Sequence, residues 1–136
     1  MEVQIETTYG ATKKFVAAGL GDFNRSHQTV SPLKSFAVTV KEKDVARGGL
    51  VTEGVGTWMI VTLLWVEDGY RARGFGSSLL QAAETEARRR GATGLLVDTY
   101  SFQAPAFYKK HGYLAYGQVD DFPEPGMTWF RFKKAL

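Results

Sequence analysis

Cysteine is absent from the 136 residues. That excludes disulfides, thiolate-bound metals and a cysteine nucleophile. Proline is scarce, with four residues. Two fall in the turn-rich stretch "DDFPEPG", and Pro32 and Pro105 stand where elements are expected to stop and start. Charge of one sign is also lacking. The 17 basic and 14 acidic residues leave a net charge of +3, too small to imply nucleic acid by itself. The basic run "ARRRG" reads as a helix end that complements its dipole. Long hydrophobic runs are missing too: the longest uncharged stretch, Gly54 to Val66, has 13 residues, whereas a membrane span needs about 20. The opening "MEVQIETTYG" is acidic and alternating, unlike a signal peptide. The expectation is a soluble, cytoplasmic chain with no membrane and no nucleic-acid partner.

What is present argues for a packed core. Hydrophobic residues make up 44% and aromatics 13% of the chain, well above the range of disordered segments. Val3 and Ile5 alternate with polar neighbours and predict a strand over Glu2–Thr7. Phe15, Val16, Gly19, Leu20 and Phe23 repeat at helical spacing and predict a helix over Ala11–Gln28, weakened at Gly19 and Gly21, where it could divide in two. Alternation at Phe36, Val38 and Val40, the turn "KEKD" and the segment Val45–Thr52 read as a strand hairpin. "TWMIVTLLWVE", Thr57 to Glu67, is almost continuously apolar, which predicts a central strand covered on both faces. A helix follows with Leu79, Leu80, Ala83 and Ala87 on one face, Arg88 to Arg90 in its last turn and Gly91 as its stop. Thr93–Tyr100 is another strand, Pro105 opens a short helix that Gly112 closes, and strands over Tyr113–Val119 and Met127–Lys133 end the chain. The expected fold is α/β, one domain spanning residues 1–136, with a mixed sheet of about seven strands and flanking helices in the order β-α-(α)-β-β-β-α-β-α-β-β.

Between the apolar strand and the second long helix lies Arg71-x-x-Gly74-x-Gly76. A glycine-rich turn at the mouth of a helix suits an anion, because exposed N–H groups and the helix dipole favour negative charge there. A P-loop is excluded, since no Gly-Lys-Ser/Thr follows. A dinucleotide fingerprint requires a third glycine where Leu79 stands, although Asp98 falls about 20 residues downstream, as a ribose-binding acid would. A plain structural turn remains open on these residues alone.

Placed after a strand and before an amphipathic helix, "RARGFG" is similar to the acyl-CoA pyrophosphate loop of the GNAT N-acetyltransferase superfamily. After the next strand, "SFQAPAFYKKHGY" resembles that family's Asn-x-x-Ala-x-x-x-Tyr segment, with Ala104 and Tyr108 in register and Ser101 in place of the usual Asn. The resemblance is strong from Trp58 to Tyr113 and follows element order elsewhere. It implies an acetyl-CoA-dependent N-acetyltransferase without a metal. The N–H groups of Arg71, Ala72, Arg73, Gly74, Phe75 and Gly76, with Ser77 next to them, would face the diphosphate. Lys109 or Lys110 would reach the 3′-phosphate. Main-chain groups of Leu64, Trp65 and Val66, together with Ser101 and Ala104, would meet the pantetheine arm.

In that scheme a neutral amine attacks the thioester directly. Tyr108 is the general-acid candidate for the departing thiolate, a phenol of pKa about 10 facing a thiol of about 8.5. Glu67, just after the apolar strand, and Glu53, just before it, are the general-base candidates, acting directly or through water. Asp98 and, in the loop before the last strand, Asp121 with Asp120 and Glu124 are candidates for holding a cationic acceptor. His27 and His111 are poor catalytic candidates, one on a surface helix and the other at a helix C-terminus, where His is common. The acceptor would be a small-molecule or protein amine. Superfamily members are often dimers, which leaves a homodimer open. A non-catalytic acyl-CoA sensor with the same fold is the competing reading.

Overall fold

A computed structural model describes all 136 residues. The chain forms two compact units, Met1–Ser31 and Pro32–Leu136. The first holds helix α1, Gly10–His27. It runs without interruption through Gly19 and Gly21, and Gln28 N–H closes it on Asn24 O at 3.0 Å. The strand expected over Glu2–Thr7 does not form. Two apolar positions, Val3 and Ile5, offer too little burial to offset the entropy of ordering a strand, and both are exposed.

The second unit is a mixed sheet with two helices. Its elements are β1 (Ala37–Glu42), β2 (Val45–Val55), β3 (Trp58–Val66), a short 3₁₀ turn at Asp68–Tyr70, α2 (Phe75–Arg89), β4 (Gly94–Tyr100), α3 (Pro105–Lys110), β5 (Leu114–Asp120) and β6 (Thr128–Ala135). The six strands lie in the order β1-β2-β3-β4-β6-β5, one fewer than the sequence suggests because the N-terminal strand is missing. Lys43 and Asp44 both take positive φ, which makes the β1–β2 connection a two-residue turn matched to the strand twist. All pairings are antiparallel except β3 with β4.

Helix α2 packs across β1, β2 and β3. Its apolar stripe of Leu79, Leu80, Ala83 and Ala87 is buried with Leu50, Met59, Val61, Leu95, Val97 and Phe132. Each leucine so buried contributes about 1.5–3 kcal/mol. The last turn carries Arg88 and Arg89, and Gly91 follows at φ 84°. Strand β3 is not covered on both faces as its apolarity suggests. Met59 and Val61 are buried toward α2, whereas Leu63 is 67% and Trp65 59% exposed. No helix of the chain is long and apolar enough to cross a membrane.

The β3–β4 junction sets up everything that follows. The two strands pair from Trp58↔Gly94 to Val61↔Val97 and then stop. Beyond that point β3 continues alongside β2 as far as Val66, and β4 continues alongside β6 as far as Tyr100. Two neighbouring parallel strands therefore part at their C-terminal ends, the place where α/β sheets open a crevice.

Candidate active site

The gap between the parted strands is a cavity of about 500 Å³. Val61–Val66 of β3 form one wall and Val97–Thr99 of β4 the other, with Phe102, Gln103, Ala104 and Tyr108 closing the end. A second cavity, about 520 Å³, shares Leu64, Trp65, Val66, Arg71 and Ala104 with the first. It continues past Tyr70 and Ala72 to Gly74, Phe75, Gly76 and Ser77, with Phe107 and Lys110 on its far side. Together they form one trough from the N-terminus of α2 to Tyr108.

The α2 end of the trough is built for an anion. Gly74 precedes the helix at φ 83°, a left-handed conformation that glycine adopts without strain. Ala72 is left-handed as well, at φ 57°, a conformation that costs a residue with a Cβ of the order of 1–2 kcal/mol. No side chain caps α2, and its first turn has no acidic residue. Its leading N–H groups are thus left for a ligand. A Cβ added to Gly76 would stand 3.5 Å from the Phe107 ring, an ordinary contact, so packing alone does not demand glycine there.

The basic residues divide. Arg71 borders both cavities, donates from Nε to Val66 O at 2.9 Å and lies 3.5 Å from Asp68. Arg73 lines neither cavity and sits 5.3 Å over both the Tyr70 and Phe75 rings. Lys110, not Lys109, lines the trough, while Lys109 rests 5.9 Å over Phe130.

At the other end Tyr108 is 5% exposed. Rings of Phe107, Tyr113 and Phe132 surround it at 5.2, 5.7 and 6.1 Å. Burial among them pushes its phenol up to about 12, because the charged form is the one that loses solvation. The hydroxyl therefore stays protonated at any physiological pH.

The carboxylates are scattered. Glu67 lines neither cavity: Arg47 Nη1 donates to its Oε2 at 3.0 Å, and its own N–H donates to Arg47 O at 2.8 Å. Asp98 does line the strand gap, with Oδ1 accepting from Arg131 Nε at 3.3 Å. Asp121 lies in the β5–β6 turn and accepts from Gly126 N–H at 3.0 Å. Ser101 is also outside both cavities, its Oγ accepting from Thr128 N–H at 3.0 Å. No three His, Asp or Glu side chains converge as a metal site would require.

Thr99 and Gln103 line the strand gap and carry no signal in the sequence reading. Gln103 Oε1 accepts from Tyr100 N–H at 3.0 Å and from Thr99 Oγ1 at 3.3 Å, which folds the chain back after β4. Phe102 stacks on Tyr100 with centroids 5.2 Å apart. The "Phe-Gln" following a Tyr-Ser strand end is the one local hint, since a side-chain amide there can cap a turn.

Comparison with known proteins agrees with this geometry. Residues 32–114 match the family model described as "Acetyltransferase (GNAT) domain". The chain is 41% identical over 107 residues to the blasticidin-S acetyltransferase of Streptomyces morookaense, covering 77% of this chain and 78% of that one. The crystal structure of an acetyltransferase from Bacillus cereus superposes with a TM-score of 0.88 at 32% identity, covering 98% of each chain. A streptothricin acetyltransferase structure from Bacillus anthracis, in complex with acetyl coenzyme A, shares the fold with a TM-score of 0.68 at 16% identity over 79% of this chain and 66% of that one. A matching family model over most of the sheet, a relative at this identity and a trough between parted strands converge on one assignment: the chain belongs to the GNAT acetyltransferase family and is an acetyl-transferring enzyme.

Proposed function

We propose that the chain transfers acetyl from acetyl-CoA to the primary amine of a small molecule, by direct attack of the amine on the thioester. The observation that carries this reading is the continuity of the trough. An anion-ready helix start and a buried phenol close its two ends, and β3 runs between them. The residues fit the co-substrate: uncapped N–H groups of Gly76 and Ser77 and the charge of Lys110 suit a diphosphate, and the apolar wall of Leu64 and Val66 suits a pantetheine arm. Acetyl-CoA supplies the acetyl group as an activated thioester.

What lines the strand gap supports direct attack. The gap has no Cys, Ser, His or Lys; the Thr99 hydroxyl is buried and already donates to Gln103, and the Thr62 hydroxyl donates to Val51 O at 3.2 Å. No activated nucleophile is available for an acyl-enzyme. The N–C bond forms as the C–S bond breaks, the sulfur gains a proton and the amine nitrogen loses one. Tyr108 faces the sulfur. With its phenol at about 12, complete transfer to a thiolate of pKa about 8.5 is uphill by about 5 kcal/mol. Tyr108 therefore acts by donating a hydrogen bond that strengthens as charge builds on sulfur, and solvent settles the proton balance. The amine proton leaves through water. Asp98 is the carboxylate on the cavity wall, whereas Glu67 is tied to Arg47 and lines neither cavity.

The acceptor class is taken from the Streptomyces relative: a blasticidin-type antibiotic amine. The exposed Trp65 and Phe102 at the mouth of the gap suit the planar part of such a molecule. The experiment is calorimetry with acetyl-CoA, CoA and NAD, followed by thiol release with blasticidin S, a polyamine and a peptide amine. Binding of the CoA species alone and turnover of blasticidin S is the expected result. Tight CoA binding with no turnover of any amine would instead favour an acyl-CoA sensor.

A further inference from the structure

His111 follows the last residue of α3 and is one of two histidines in the chain. Its Nε2 lies 2.9 Å from Ser77 Oγ in a partly buried contact that spans 34 residues of sequence. Ser77 is the third residue of α2 and lines the cavity assigned to the diphosphate. The imidazole packs on Phe107 with centroids 4.8 Å apart, and the Phe107 ring faces Gly76. Behind it, Lys134 Nζ donates to His111 O at 2.8 Å and to Glu84 at 3.0 Å. The ring packs on Phe107 with one nitrogen aimed at one hydroxyl, while Lys134 holds the residue's carbonyl.

A serine hydroxyl has one proton and two lone pairs. If Nε2 is bare, Ser77 spends its proton on the ring and turns lone pairs toward the cavity, where they repel a phosphate oxygen. If Nε2 carries the proton, the ring donates to Ser77, and the hydroxyl proton is left for the anion. The same bond matters to α3, whose six residues are too few to hold a helix in place without tertiary ties.

We propose that His111 is a positioning residue for acyl-CoA: its ring donates from Nε2 to Ser77, turns the Ser77 hydroxyl proton toward the diphosphate, and clamps α3 to the start of α2. This rests on the CoA reading above. The test uses the full chain with CoA as the probe, NMR of the histidine ring nitrogens, and calorimetry; His27 serves as the internal control. In the CoA-bound protein His111 is expected to carry its proton on Nε2. His111→Leu should weaken CoA about tenfold, His111→Gln should restore it to within about twofold because the amide reaches the same hydroxyl, and Ser77→Ala combined with His111→Leu should be no weaker than either alone. A CoA-bound His111 with a bare Nε2, or losses at Ser77 and His111 that add, overturns the proposal while leaving the CoA reading intact. A wild-type chain that does not bind CoA overturns both. Should His111→Leu fold poorly, Ser77→Ala and His111→Gln carry the same test.

Discussion

Tyr108 is a phenol whose surroundings do one thing to it: they remove water. Because its folded value is raised to about 12 from about 10 by burial, two consequences follow with definite signs. The neutral form is favoured by folding, so this residue's contribution to stability is full below about pH 10 and is lost as pH rises toward 12. The loss amounts to about 2–3 kcal/mol. Urea unfolding of wild type and Tyr108→Phe between pH 8 and 11 should show the wild type losing stability relative to Tyr108→Phe only above pH 10. The catalytic consequence is separate. Tyr108→Phe keeps the ring packing and deletes only the hydroxyl that hydrogen-bonds the sulfur, so kcat should fall about 100-fold or more, with CoA affinity unchanged by calorimetry. Equal kcat in the two proteins would remove Tyr108 from the chemistry. Much of this site was legible in the sequence because its groups sit at fixed offsets from a strand end: Gly74, Gly76, Ala104 and Tyr108 all line the trough or begin its helix. What was not legible was set by rotation or by partners. Lys110 rather than Lys109 lines the trough because one step along a helix turns a side chain by about 100°. Glu67 stands where a base was expected, yet it is claimed by Arg47 from 20 residues away, a pairing that no local pattern announces.

At the scale of elements, α2 is joined to the far side of the sheet by a polar contact inside an otherwise apolar layer. Glu84 is 6% exposed. It accepts from Lys134 Nζ at 3.0 Å through both oxygens and from Tyr113 Oη at 3.1 Å. Lys134→Met strands that carboxylate and should cost about 3–5 kcal/mol. The double variant with Glu84→Leu should recover most of the loss, since two apolar groups then replace two charges. Thermal unfolding of the three proteins checks this, and a double variant less stable than Lys134→Met would contradict it. Periodicity located α2, because a single buried stripe repeats every turn, and the glycines on either side marked its ends. It misread β3: Leu63 and Trp65 look like core in sequence, but they lie past Val61, where β4 has left, so their apolarity serves a cleft. Strand pairing depends on residues far apart in sequence, and the N-terminal alternation of Val3 and Ile5 had no way to reveal that it would find no partner.

For the whole molecule the informative quantity is the field it presents to a ligand bearing several phosphate charges. The net charge of +3 is modest, but Arg71 and Lys110 border the same trough that begins at the uncapped start of α2. An anion bound there is partly desolvated, so its attraction to these groups is screened less than between exposed charges. CoA at 100 times its dissociation constant should stabilise the chain by about 2.7 kcal/mol through mass action alone. That raises the melting temperature by about 5–12 °C for a protein of this size. NAD should give a smaller shift, because it has no pantetheine arm to lie along Leu64 and Val66. Lys110→Ala should reduce the CoA shift and flatten its dependence on salt, whereas Lys109→Ala should do neither, since that ammonium rests over Phe130 outside the trough. Equal effects from the two lysines would mean that the molecule attracts CoA by its overall charge rather than through the groups that line the trough.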